Sequence, residues 1–185
     1  MPNLRSRKWT LEQMHALPED GNRYELVHGE LLVTPAPSPE HQGLVDALAA
    51  VLFPYVSRHR LGVVQFPRSV IRVDGSETEP DLMVRPGPLV PGMRWEDAPL
   101  PILAVEVISP GSRRGDLVTK RGFYLELGIP EYWIVDGEAR LIRVARPDRV
   151  DTLAERDLHW NPRGTAEALR IDVMALFAEA LGPAS

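Results

Sequence analysis

The chain contains no cysteine, which excludes disulfides and thiolate zinc sites and fits a reducing cytoplasm. It also lacks long apolar runs. ALAAVLF at 47–53 is among the longest, and it is far too short to span a bilayer. The N-terminal MPNLRSRKWTLEQMHAL has no apolar core of the kind a secretory signal needs. A cytoplasmic protein with no membrane partner is therefore expected. Positive charge is not in excess: the formal net charge is −5, whereas a general nucleic-acid coat draws its non-specific affinity from basic charge. That balance still allows an enzyme that approaches phosphates through a local basic rim and a bound cation. The four Trp and four Tyr are scattered with no sugar-stacking cluster, which disfavours a two-carboxylate glycoside hydrolase. Lysine is the scarcest charge of all. Lys8 and Lys120 are the two lysines among 21 Lys and Arg residues, so arginine carries nearly all the positive charge. A lysine retained at 120 suggests chemistry that guanidinium cannot do, with a compact ammonium approaching a reacting oxygen.

What is present reads as one domain over residues 1–185, long enough for a real core. WTLEQMHAL (9–17) predicts a short helix with Thr10 as N-cap. RYELVHGELLVT (23–34) predicts an N-terminal hairpin turning at His28–Gly29. Ser38 and Pro39 open a helix over about 39–57, with Leu44, Val45, Leu48, Leu52 and Tyr55 as its apolar stripe. Strands are expected at 62–66, 69–73 and 80–85, followed by a Pro/Gly-rich loop over 85–101. ILAVEVIS (102–109) has the near-continuous apolar character of a strand buried on both faces. A helix over about 114–127 capped by Gly128, a buried strand at 131–136, a hairpin around Pro147–Asp148 and a final helix at 173–181 capped by Asp172 complete the order. That order implies an α/β or α+β fold, a sheet with helices packed on it.

Alternation along 102–109 puts Glu106 in the middle of an apolar strand face. A buried carboxylate needs a cation, a hydrogen-bond cage or a raised pKa, and a structural ion pair with an arginine would also serve. On the following helix, Leu117, Lys120, Tyr124 and Leu127 share one face, so Lys120 points where a leucine is expected. The competing reading of Lys120 is an exposed i, i+4 pair with Asp116. Asp81, in Glu79-Pro80-Asp81, opens a strand with Met83 and Arg85 on its own face. Two carboxylates on adjacent strands and an inward lysine are the minimum set for a divalent-metal phosphodiesterase. Asp81 and Glu106 would hold Mg²⁺ (or Mn²⁺), and Lys120 would stabilise developing negative charge or position the attacking water.

EPDLMV followed by VEVISPGSRRGDLVTKRGFYLELGIPEYWIVD resembles the Uma-type group of bacterial endonucleases in the PD-(D/E)xK restriction-endonuclease-like superfamily. RYELVHGELLVTPAPSPEHQ is similar to the same group, so the resemblance spans about residues 20–136. It implies a restriction-endonuclease-like α/β core, a central mixed sheet flanked by the helices at 39–57 and 114–127. The N-terminal hairpin and a C-terminal hairpin plus helix would be added to that core. It implies Asp81 and Glu106 as metal ligands and Lys120 as the relocated catalytic lysine, because Ile108 occupies the place where the superfamily pattern has lysine. His41, on the stripe of the first long helix, joins the candidate site through the same resemblance, a satisfied core histidine being the alternative. Glu25, on the first hairpin strand, is either a third carboxylate of the site or a cross-strand partner.

The expectation is a Mg²⁺-dependent endonuclease hydrolysing DNA phosphodiesters. The alternative is a catalytically inactive module of the same fold that binds nucleic acid or protein. Apolar residues in the first hairpin and the final helix allow a homodimer.

Overall fold

The computed structural model describes residues 8–163 and 165–183. In chain order the elements begin with α1 (Leu11–His15), β1 (Arg23–Val27), β2 (Glu30–Thr34), α2 (Pro39–Arg58) and β3 (Val63–Gln65). Next come β4 (Ile71–Val73), β5 (Ser76–Thr78), β6 (Leu82–Arg85) and β7 (Leu103–Ile108). A π-helical segment, Gly115–Lys120, runs directly into α3 (Arg121–Glu126). The chain ends with β8 (Tyr132–Asp136), β9 (Leu141–Ala145), β10 (Thr152–Ala154), β11 (Asp157–Trp160), β12 (Leu169–Asp172) and α4 (Val173–Leu181).

The doubly apolar strand β7 lies inside a six-stranded sheet of order β10-β9-β8-β7-β6-β3. It pairs parallel with β8 and antiparallel with β6, so the sheet is mixed. Leu103, Val105 and Val107 point to one face, where α2 and α4 cover them through Leu44, Leu48, Leu52, Leu176 and Phe177. Ala104 faces the other way, into a second core with Met83, Ile134, Phe123 and Tyr124. Glu106 shares that second face, and α3 covers it together with Val27 of β1 and Ile71 of β4. The central mixed sheet flanked by helices is the architecture that the family resemblance implies. Ile102 lies just outside β7 and packs on the α2 side, so the alternation starts one residue later than the sequence suggests.

Local signals account for most element boundaries. Thr10 and Ser38 accept from the N–H groups of Gln13 and His41 as N-caps, and Asp172 accepts from Ala175. The β1–β2 hairpin turns on His28 and Gly29 with φ of 49° and 85°, the paired positive angles of a two-residue turn whose twist matches the strands. Three features depart from the pattern. Ser76–Thr78, a polar stretch with no strand signal, forms β5 and is buried between β1 and β4 in the four-stranded sheet β2-β1-β5-β4. Pairing on both sides supplies what its side chains do not. The β11–β12 pair was likewise silent, because its strands are short and separated by a long loop. The 114–127 helix is split, its first half being π-helical.

The Pro/Gly-rich loop is pinned rather than free. Arg85, 1% exposed, donates to the carbonyls of Val70 and Pro99 and to Gln65 Oε1, and its guanidinium lies 5.8 Å from the Trp95 ring centroid. Burial without a carboxylate partner lowers its pKa to about 10. Gly62 allows this strand end to close, since a Cβ there would lie 2.0 Å from the Arg85 carbonyl oxygen. Replacing Arg85 with alanine strands two carbonyls and should cost about 3 kcal/mol. The expected readout is a lowered urea midpoint, with new protease cleavage inside residues 86–101.

Candidate active site

The site forms where the two sheets meet α2 and the π-helical segment. Glu25 comes from the middle of β1, Asp81 from the residue before β6, Glu106 from β7, and Asp116 and Lys120 from the π-helical segment. His41 is in the first turn of α2. The structure thus gathers all five residues singled out from sequence, and adds Asp116 and Arg23.

Lys120 is 1% exposed, and its Nζ lies 2.6 Å from Glu25 Oε2, 3.0 Å from Glu106 Oε1 and 3.1 Å from Asp116 Oδ1. The i, i+4 contact with Asp116 exists, but both partners are buried rather than solvated. A π-helical turn takes more residues than an α-turn, so residues four apart lie closer to one line along the segment, and both side chains aim inward. Tyr132 Oη donates to the Asp116 carbonyl within that turn at 3.2 Å. Tyr124 Oη donates to Glu106 Oε1 at 3.1 Å, which leaves Glu106 Oε2 buried with no hydrogen-bond partner among the described residues.

Asp81 belongs to a second layer. Its Oδ2 accepts from the Val107 N–H at 2.8 Å and contacts His41 Nε2 at 3.0 Å, while Oδ1 accepts from Arg23 Nη1 at 2.8 Å. Arg23 is the link between layers, 3.8 Å from both Glu25 Oε2 and Glu106 Oε2. Sequence periodicity offered no signal for Arg23 beyond its place at the start of a strand, two residues before Glu25. Asp116 was visible only as a helix partner of Lys120.

The electrostatics follow from burial and count. Four carboxylates, those of Glu25, Asp81, Glu106 and Asp116, stand around two permanent cations, Lys120 and Arg23, with His41 beside Asp81. Burial pushes Glu106 well above the usual carboxylate range; Lys120 opposes this, while Asp81, Asp116 and Glu25 add to it. Burial also raises Asp116. Burial works against the Lys120 charge, but Glu106, Glu25 and Asp116 outweigh it and hold the ammonium well above its ordinary value. At Asp81 the contacts with His41 and Arg23 overcome burial and keep the carboxyl well below its usual range.

A cleft of about 930 Å³ opens onto this site, with Arg23, His41, Asp81, Ser109, Tyr24 and the exposed Arg68 in its walls. Lys120 and Asp116 instead reach a separate recess of about 170 Å³ beside Arg114. Arg58 and Arg60 are exposed away from the cleft, and Arg113 is engaged with Asp136 at 2.8 Å. His15 and His28 pair with Glu77 and Glu126, and His159 is exposed on β11.

The donor set suits a hard divalent cation on two observations: Glu106 Oε2 makes no hydrogen bond among the described residues, and four carboxylates stand around two permanent cations. Both oxygens of Asp81 are already engaged, and no three His, Cys, Asp or Glu side chains stand ready as a metal cage among the described residues. An ion of the Mg²⁺ kind, which keeps several waters, needs only one or two carboxylates.

Two outcomes follow from the buried charges. Lys120→Ala leaves three carboxylates without their ammonium and should cost about 3–5 kcal/mol by urea unfolding. The lowered Asp81 pKa contributes stability that is fully present above the unfolded value of about 4 and lost as pH falls below it. Wild type should therefore lose more stability than Asp81→Asn between about pH 5 and about pH 2, measured by chemical denaturation.

No curated protein matches the chain. A crystal structure titled as a putative nuclease belonging to DUF820 from Anabaena variabilis superposes with a TM-score of 0.76 at 20% identity. The match covers 94% of this chain and 99% of that one, a likeness of fold. No helix among the described residues is long and apolar enough to cross a membrane. Residues 11–173 match the Uma2 family, described as "Putative restriction endonuclease", and the chain belongs to that family.

Proposed function

We propose that this protein is a divalent-metal-dependent endonuclease of the PD-(D/E)xK kind, hydrolysing DNA phosphodiesters in the cleft in front of Asp81. The observation that carries the reading is Glu106 Oε2, a fully buried carboxylate oxygen without a hydrogen bond, set beside Asp81 in a site where carboxylates outnumber the permanent cations. Asp81 and Glu106 would hold the ion, Mg²⁺ or Mn²⁺. When bound, such an ion polarises the phosphate and acidifies a water.

The chain's own residues do the rest. The Val107 N–H and His41 fix the Asp81 carboxylate at the cleft wall. Lys120 and Tyr124 both grip Glu106 Oε1, which turns Oε2 away from them. With Nζ held by three acids, Lys120 orients Glu106 and stabilises its charged form, and it contacts the phosphate only indirectly. Glu25 completes the Lys120 cage, and its Oε1 accepts from the Glu79 N–H two residues before Asp81. Arg68 at the cleft wall supplies a cation for the substrate backbone.

The expected result is nicking or cutting of plasmid DNA by purified protein with Mg²⁺ or Mn²⁺ and none in chelator. Asp81→Ala and Lys120→Ala should each reduce cleavage by at least about 10²-fold. Lys120→Ala is scored only at a temperature where circular dichroism reports it folded. Cleavage at the full rate in either variant would refute the assignment.

The second reading is a nuclease-fold module that binds nucleic acid or protein without cutting it. It is favoured by the engagement of both Asp81 oxygens with protein donors. It predicts no stoichiometric Mn²⁺ binding by calorimetry.

A further inference from the structure

The two cations of the site are bound very differently. Lys120 has three carboxylates at 2.6, 3.0 and 3.1 Å and lies away from the main cleft. Arg23 makes one short ion pair, with Asp81 at 2.8 Å, and a bond to the Glu79 carbonyl at 3.1 Å. Its other charged neighbours, Glu25 and Glu106, stay at 3.8 Å, and its Nε is buried without a hydrogen bond. A guanidinium offers five N–H donors in a rigid fork, so this one is poorly used. It is also a wall of the cleft. Arg23 therefore lies between the two carboxylates assigned to the ion, bonded to Asp81 by one N–H but 3.8 Å from Glu106, and it borders the cleft.

We propose that Arg23 is a place-holder for the divalent ion: it neutralises Asp81 and Glu106 in the metal-free protein, and gives them up when the ion arrives. Once released, its fork is free to pair with a substrate phosphate in the cleft, a geometry that suits guanidinium better than ammonium. This rests on the metal reading of the site given above. In the exchange an ion of charge +2 takes the place of a guanidinium of charge +1 between Asp81 and Glu106, so the carboxylates there are better neutralised than before. The exchange also makes the ion and the nucleic acid mutually dependent. The ion frees the arginine that the phosphate captures, and by linkage the phosphate strengthens ion binding by the same factor.

The test is Mn²⁺ titration of the full chain by calorimetry, with and without a short DNA duplex. The catalytic step is kept out of the readout by a non-hydrolysable phosphorothioate backbone. Wild type should bind Mn²⁺ about tenfold more tightly when the duplex is present. Arg23→Gln should bind Mn²⁺ about tenfold more tightly than wild type without DNA, and gain no further from the duplex. In chelator Arg23→Gln should melt below wild type, and Mn²⁺ should restore most of the difference. Equal Mn²⁺ affinity in wild type and Arg23→Gln would overturn the exchange while leaving the metal reading standing. If neither protein binds Mn²⁺, the metal reading fails and the exchange fails with it. If Arg23→Gln does not fold, the wild-type measurement decides alone: a Mn²⁺ affinity indifferent to the duplex overturns the proposal.

Discussion

A single ammonium, that of Lys120, lies among carboxylates from β1, β7 and the π-helical segment, and the packing of those three elements depends on it. Taking several ions out of water costs several kcal/mol each, and only close mutual contact recovers that cost. The small sheet, the large sheet and the third helix are therefore locked at one point by charge, in the middle of an otherwise apolar layer of Met83, Ala104, Phe123 and Ile134. Tyrosines complete the arrangement. Tyr124 satisfies an oxygen of Glu106, and Tyr132 ties down the π-helical turn that carries Asp116 and Lys120.

This lock also separates two roles that are easily merged. The carboxylates divide into an inner group around Lys120 and an outer one, Asp81, held at the cleft wall by His41, Arg23 and a backbone N–H. Glu106 belongs to both, with one oxygen tied to Lys120 and Tyr124 and the other left over. Rigidity at the inner group is what leaves an unsatisfied oxygen beside Asp81. In most buried positions such an oxygen is a defect; beside Asp81 at the cleft wall it is one that a cation could satisfy.

The Uma2 membership gives the family and the superposed crystal structure gives the fold; neither assigns these residues. At 20% identity the crystal structure speaks only for the fold. The proposed residue roles rest on distances within this chain. They shift attention from Lys120, which the scarcity of lysine brings forward, to Arg23, which hides among nineteen arginines.

Much of this was legible in the chain. Period-2 alternation placed Glu106 on a buried face, helical spacing turned Lys120 inward, and Ser38, Thr10 and Asp172 marked helix starts that the structure keeps. Those features are local, fixed by neighbours a few residues away. The strand β5, the β11–β12 pair, the π-helical turn and the bridging of Asp81 to Glu106 by Arg23 were not legible. Each depends on partners brought close by folding: Ser76–Thr78 becomes a strand only between β1 and β4, and Arg23 meets Asp81 across 58 residues of chain. Sequence determined that Glu106 and Lys120 would carry charge into the buried layer. Tertiary structure alone decided which charge would answer which, because electrostatic pairing depends on distance in space and the sequence records only distance along the chain.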